Sequence, residues 1–163
     1  MKPKTVGRIE GKPLETRRVE SVNGLTPCTQ ILTLDGSLPV EVLAAGDKII
    51  TRNAGLVTLK GLICATVACE TVRIQAGSLG HDRPDSDTVL PADQQILIRD
   101  WRAKALFGAS EAHVPLRRLV DGEFVQLQPK AGHMIFKLIF ESPQVIYADG
   151  LELECATHRV MVD

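Results

Sequence analysis

Two segments of this chain each occur twice, in the same order. Gln30-Ile31-Leu32-Thr33-Leu34-Asp35 is echoed 65 positions later by Gln95-Ile96-Leu97-Ile98-Arg99-Asp100. Val40-Glu41-Val42-Leu43-Ala44-Ala45-Gly46-Asp47-Lys48-Ile49 is echoed 76 positions later by Leu116-Arg117-Arg118-Leu119-Val120-Asp121-Gly122-Glu123-Phe124-Val125. Both members of the second pair read apolar-x-x-Leu-x-x-Gly-acidic-x-apolar. Either echo alone is a weak signal; two in one order point to a duplicated unit. The offsets differ by 11 residues, which predicts an insertion in the second copy around Trp101 to Ala112. Two copies of one β unit would form a pseudo-symmetric all-β module.

The residues between and around the echoes read as short strands. Gln30–Leu34, Lys48–Thr51, Val57–Ala68, Thr71–Gln75, Gln95–Ile98, Met134–Ser142, Val145–Ala148 and Leu151–Glu154 are rich in Val, Ile, Leu and Thr. Asp35-Gly36, Ala45-Gly46-Asp47, Asn53-Ala54-Gly55 and Ala148-Asp149-Gly150 supply the turns. Only Trp101–Phe107 and Pro115–Val120 read as helical. The class that follows is all-β.

Composition narrows the function. The chain has 163 residues, long enough to bury a core without a disulfide or metal staple. Aromatics are only 4%, too few for a stacking surface for single-stranded nucleic acid. Net charge is -1, which removes a basic whole-domain footprint, so no nucleic-acid partner is expected. No apolar run approaches the roughly 20 residues of a membrane span. Met1–Asn23 is polar and has no apolar core of a signal peptide. A cytoplasmic location, or export without a visible signal peptide, is expected. Within residues 1–23, Lys2, Lys4, Arg8, Lys12, Arg17 and Arg18 face Glu10, Glu15 and Glu20, giving +3 against -4 for the remainder. The division expected is a basic N-terminal extension, 1–23, and a domain, 24–163. The extension reads as a solvated arm, or as a segment laid along an acidic surface.

Cys28, Cys64, Cys69 and Cys155 form no Cys-x-x-Cys pair, so a zinc ribbon is not expected. Buried free thiols are the simplest reading. Cys64 and Cys69, an odd number of residues apart, fall on opposite faces of one strand.

Leu25-Thr26-Pro27-Cys28-Thr29 is followed by Asp35-Gly36 and by Pro39-Val40-Glu41-Val42-Leu43-Ala44-Ala45-Gly46-Asp47. Val72-Arg73-Ile74-Gln75-Ala76-Gly77-Ser78-Leu79-Gly80, Trp101 to Gly108 and Ala148-Asp149-Gly150-Leu151 come later in the chain. From about Gly24 to Cys155 this ordered set resembles the Hedgehog/intein (Hint) domain, in particular its bacterial stand-alone branch. The resemblance implies an all-β horseshoe with pseudo-two-fold symmetry, in agreement with the echoes.

The resemblance also implies self-cleavage chemistry. A Cys or Ser at the domain's first position attacks the preceding carbonyl through a five-membered ring and forms a thioester or ester. A His in a Thr/Ser-x-x-His turn protonates the leaving amide nitrogen. Carried over residue by residue, the first position falls on Gly24, which has no side chain. The turn falls on Pro91-Ala92-Asp93-Gln94: Pro91 replaces the hydroxyl and Gln94 the His. Gln donates hydrogen bonds but transfers no proton at a useful pKa. A second His of the branch falls on Pro143. Cys28 sits where the family has Gly, and from there no five-membered ring forms with the Asn23 carbonyl. Glu154-Cys155 stands where the branch has Glu-Ser, and His158 follows outside any family motif. The expectation is a catalytically degenerate member, retained as a binding or structural module. A peptide, or the chain's own arm, would lie in the old cleft. The alternative is a self-processing domain with a displaced nucleophile, Cys28 or Cys155. No cofactor is implied.

Gly80–Asp87 is an acidic loop with one His. His81, Asp82, Asp85 and Asp87 could hold a divalent cation for a metal-dependent hydrolase, but the loop lacks the spacing and Glu of a calcium site. A solvated loop is the simpler reading.

Overall fold

The computed structural model describes residues 21–155. It contains eleven strands: β1 Gln30–Thr33, β2 Gly36–Pro39, β3 Lys48–Thr51, β4 Gly55–Thr58, β5 Gly61–Ile74, β6 Thr88–Pro91, β7 Gln95–Ile98, β8 Ala112–Pro115, β9 Val125–Ile139, β10 Gln144–Ala148 and β11 Leu151–Cys155. One α-helix, α1, spans Trp101–Phe107, and 3-10 turns cover Val40–Val42 and Leu116–Leu119. The larger sheet runs β2-β1-β3-β10-β11-β7-β8, with β4 paired to β3; the smaller runs β6-β5-β9.

The two echoes are two copies of one unit in space. In the hairpin of β1 and β2, Gln30 pairs with Pro39; in that of β7 and β8, Gln95 pairs with Pro115. Each proline leads into a 3-10 turn, because its fixed φ starts a turn and its missing N–H needs no partner. The same hydrogen bond closes both corners: Val40 N donates to Thr29 O at 2.9 Å, and Leu116 N to Gln94 O at 3.0 Å. The second hairpin is longer by the predicted insertion, which carries α1. Asp100 caps that helix by accepting from Arg102 N at 3.0 Å.

The repeated apolar positions build the core. Ile31 and Ile96, Val40 and Leu116, Leu43 and Leu119, Ile49 and Val125 are all buried. Full burial of such side chains contributes about 1.5–3 kcal/mol each before chain entropy is counted. Val72, Ile74, Leu90, Ile146 and Leu151 complete the cluster between the two halves.

Some expected boundaries shift. Val57–Ala68 and Thr71–Gln75 resolve into the end of β4 and one long strand, β5, with a register shift between Cys69 and Thr71. β9 begins at Val125 rather than Met134, and Pro115–Val120 is a 3-10 turn rather than an α-helix. Short β2, β6 and β8 were not expected; each is a four-residue strand ending in or holding proline. Most side chains in the middle of the β5–β9 ribbon are exposed, Cys64 among them. Cys28 is exposed as well. Thus the expectation of uniformly buried thiols fails: Cys69 is buried and Cys155 partly so. Among the described residues no helix is long and apolar enough to cross a membrane.

Candidate functional site

The turn Pro91-Ala92-Asp93-Gln94 joins β6 to β7. It is closed by Gln94 N donating to Pro91 O at 3.1 Å. Ala92 N donates to Glu70 O, and Arg117 N to Ala92 O, so both flanks are pinned. The Arg117 guanidinium braces the turn through Asp93 at 2.7 Å and Glu70 at 3.0 Å.

Gln94 is 2% exposed and spends its whole amide. Oε1 accepts from Gly24 N at 2.8 Å; Nε2 donates to Gln95 O at 2.9 Å and to Glu154 O at 2.8 Å. The Gly24 nitrogen belongs to the Asn23–Gly24 peptide, the bond that the resemblance read from the sequence puts at the start of the domain. Gln94 therefore accepts a hydrogen bond from that nitrogen and offers it no proton. Pro91 supplies no hydroxyl.

Gly24 is held by the strand edge beside it. Leu25 and Phe136 exchange two backbone hydrogen bonds, both 2.8 Å, which lays the chain along β9. At Gly24 φ is +149°, a conformation that L side chains rarely adopt. A Cβ there would meet Ile135 Cγ2 at 2.5 Å and the Phe136 carbonyl oxygen at 2.8 Å. The space for a nucleophilic side chain is filled.

The other expected site residues do not converge on this point as reactive groups. Cys28 occupies the tip of the Thr26–Thr29 turn with φ +73°. That explains why glycine suits the position. Its N–H donates to Glu41 Oε1 at 2.7 Å, and its thiol to Glu41 Oε2 at 3.6 Å. The Glu41 carboxylate holds the Cys28 thiol above its ordinary pKa, the wrong direction for a nucleophile. Glu41 itself is pushed down, chiefly by the Cys28 N–H. Cys155 ends β11, opposite Gln144 and one residue beyond the Glu154 carbonyl that Gln94 binds. Its sulfur is enclosed, and burial pushes the thiol up to about 12. Pro143 is exposed, with its carbonyl accepting from Asn53 Nδ2 at 3.4 Å. Residues 1–20 of the arm, and His158, lie outside the described residues.

In the acidic loop, His81 and Asp82 form an exposed pair at 3.3 Å. Asp87 is committed to Arg73 at 2.7 Å and to the Ala76 N–H at 2.8 Å. Asp85 binds through its N–H to Asp149 O at 3.0 Å. Among the described residues no three His, Cys, Asp or Glu side chains group to hold a metal ion.

Sequence reasoning missed two features. Thr26-Pro27-Cys28-Thr29 is the first copy's counterpart of Pro91-Ala92-Asp93-Gln94, and here Thr26 O accepts from Thr29 N at 3.4 Å. Both segments lie 65 residues apart, so the first echo extended upstream would have revealed it. The second is Asp149, buried beneath the loop. Its carboxylate accepts from Gln30 N at 3.0 Å and Thr88 Oγ1 at 3.1 Å. Desolvation raises its pKa, only partly offset by those bonds.

The Hint domain family matches residues 23–159. That is most of the chain. The chain belongs to the Hint domain family. The fold of this Hint domain is similar to the bacterial intein-like domain from Clostridium thermocellum, with a TM-score of 0.56 at 15% identity, over 84% of this chain and all of that one. It is also similar to the Ssp DnaB mini-intein variant M86 (TM-score 0.52, 9% identity, 88% of this chain and 100% of that one) and to the gp41-1 intein (0.50, 10%, 80% and 96%). At such identities the likeness carries the fold alone. No curated protein matches the sequence significantly. The all-β Hint fold with an internal duplication agrees with the expectation from sequence.

Proposed function

We propose that this Hint domain has lost self-cleavage at the Asn23–Gly24 bond and is retained as a binding or structural module. The observation that carries the reading is the Gly24–Gln94 contact. The family's two chemical positions still meet, at 2.8 Å, but one has no side chain and the other accepts rather than donates. Ile135 and the Phe136 carbonyl occupy the volume a nucleophile would need. Pro91 and Pro143, at two further family positions, add no acid, base or hydroxyl.

Residues 1–23 form a basic extension in this reading, and 24–163 the domain. Burial of Gly24 and Leu25 beside an exposed Ser21 supports that boundary. The extension, or another peptide, is the natural occupant of the cleft beside Gly24.

Incubation of the full chain with dithiothreitol or hydroxylamine, read by intact mass, tests the proposal. The expected mass is unchanged over days. Fragments ending near residue 24 or 28, abolished by Cys28→Ala, would overturn it in favour of a displaced nucleophile.

A further inference from the structure

One edge of β5 is left open. Its last residues pair with β6, from Thr71 opposite Pro91 to Ile74 opposite Thr88. Along residues 61–70 that same edge has no strand beside it, among the described residues. Two contacts fix which backbone groups point out of it. Glu70 O turns to this edge and accepts from Ala92 N at 3.0 Å. Phe136, opposite Cys64, spends its N–H and C=O on Leu25 at the far edge of β9, so it makes no backbone bond to Cys64. Alternation along the strand then turns the N–H and C=O of Leu62, Cys64, Thr66 and Ala68 outward. They form one side of a ladder.

An open strand is normally blunted by lysine, other charges or proline. Gly61-Leu62-Ile63-Cys64-Ala65-Thr66-Val67-Ala68-Cys69 holds no charge and no proline. The internal duplication supplies a comparison. Leu90 pairs with Val72 of β5, and Leu25, 65 residues earlier, pairs with Phe136 of β9. The corresponding open stretch of β9, residues 125–134, carries Pro129, Lys130 and His133. Of two equivalent edges, one is protected and the other is not.

We propose that the β5 edge pairs with the same edge of a second copy of this chain. The two strands run antiparallel about a two-fold axis at Ala65 and join the ribbons in the order β9-β5-β5-β9. In this register Cys64 stands opposite Thr66 of the second copy, and Leu62 opposite Ala68, so outward groups meet outward groups. Ile63 meets Val67 at a position without backbone bonds, where side chains approach most closely. No cross-strand pair carries a charge. The ladder ends at Ala68, before β6 takes the edge at Thr71. A second copy suits this strand better than the chain's own extension, whose lysines and arginines would meet no carboxylate along it. A single strand edge buries less than a standard interface, so the dimer is weak and concentration-dependent. This inference does not rest on the loss of self-cleavage.

Sedimentation equilibrium of the full chain over a range of concentrations tests it, and a monomer–dimer equilibrium is expected. Ala65→Lys sets two ammonium groups face to face at the axis and should weaken the dimer at least about tenfold. Leu127→Lys, at an exposed position on β9, should leave it unchanged. Ala65 is itself exposed, so its replacement does not disturb the core. Ala65→Cys, with Cys28 and Cys64 changed to serine, should give a disulfide-linked dimer in oxidised glutathione, because directly opposite residues without backbone bonds lie within bridging distance. Ala131→Cys in the same background, on β9, should not. A chain that stays monomeric at millimolar concentration, its open edge left to a strand from another protein, would overturn the proposal. So would a dimer equally tight in Ala65→Lys, or crosslinking of Ala131→Cys in place of Ala65→Cys.

Discussion

The Gly24 N–H donates to Gln94 Oε1 across 2.8 Å, joining residues 70 positions apart. The same side chain holds the Glu154 carbonyl, so one amide ties the start of the domain to its last strand. Gln94→Ala leaves a buried N–H and two carbonyls without these partners. The expected loss is about 3 kcal/mol or more, since each unsatisfied buried group costs about 1–3. Urea denaturation would measure it, and an unchanged midpoint would show that water replaces the amide freely. Gln94→His should restore no cleavage, because Gly24 still lacks a nucleophile.

On the proposed reading, Gly24→Cys supplies a thiol at the first position of the domain, where the structure leaves no room for it. Its Cβ meets Ile135 Cγ2 and the Phe136 carbonyl, and φ is +149°. A destabilisation of about 2 kcal/mol or more is expected for Gly24→Ala and Gly24→Cys alike, from overpacking and backbone strain. Intact mass should show no fragment. A Cys variant as stable as the parent would refute this account of the closed site.

Cys155 makes stability fall at alkaline pH. Its thiol has a pKa of about 12 when folded against 9.0 for an unperturbed thiol. Between these values the unfolded chain loses the proton while the folded chain keeps it, so rising pH favours unfolding. The contribution is on the order of 1 kcal/mol between pH 8 and pH 10. Chemical denaturation of the parent and Cys155→Ala at both pH values isolates it: the variant should lose less stability. Equal pH dependence in the two proteins would rule the effect out.

Thiol labelling should sort the cysteines into two classes. Cys28 and Cys64 are exposed and should alkylate in the native state; Cys69 and Cys155 should require unfolding. Glu41→Gln should speed Cys28 labelling severalfold at pH 8, because the carboxylate that disfavours the thiolate is gone. Peptide mapping by mass spectrometry reads the rates. No acceleration would mean that Glu41 does not control the thiol.

Removal of residues 1–20 tests whether the basic extension docks on the acidic body. The extension carries +3 and the rest -4. If it docks, the truncated chain should melt lower at low salt, and the difference should vanish at high salt. Equal melting temperatures at low salt would exclude the contact.

The duplication was legible because each copy buries the same positions. Ile31 and Ile96, or Val40 and Leu116, face one core, so both copies had to keep an apolar residue there. α1 was legible as a helical stretch inside the 11-residue insertion; its caps, Asp100 and Gly108, are seen in the structure. The first half of β9 was not. Gln126, Leu127, Pro129, Lys130, Ala131 and Gly132 are exposed, and a ribbon that packs on little writes no alternating pattern into the chain.

The chain by itself determined what Gly24, Pro91, Gln94 and Pro143 lack. A missing hydroxyl, thiol or imidazole is a property of the residue, and no folding restores it. Only the tertiary structure decided what surrounds these positions. It placed Gln94 Oε1 on the Gly24 nitrogen, filled the Cβ position with Ile135 and Phe136, and set Glu41 against the Cys28 thiol. These effects depend on distances between residues far apart in sequence. Hydrogen bonding, overlap and Coulomb energy act through space, and their partners are brought together only when the two halves of the domain pack.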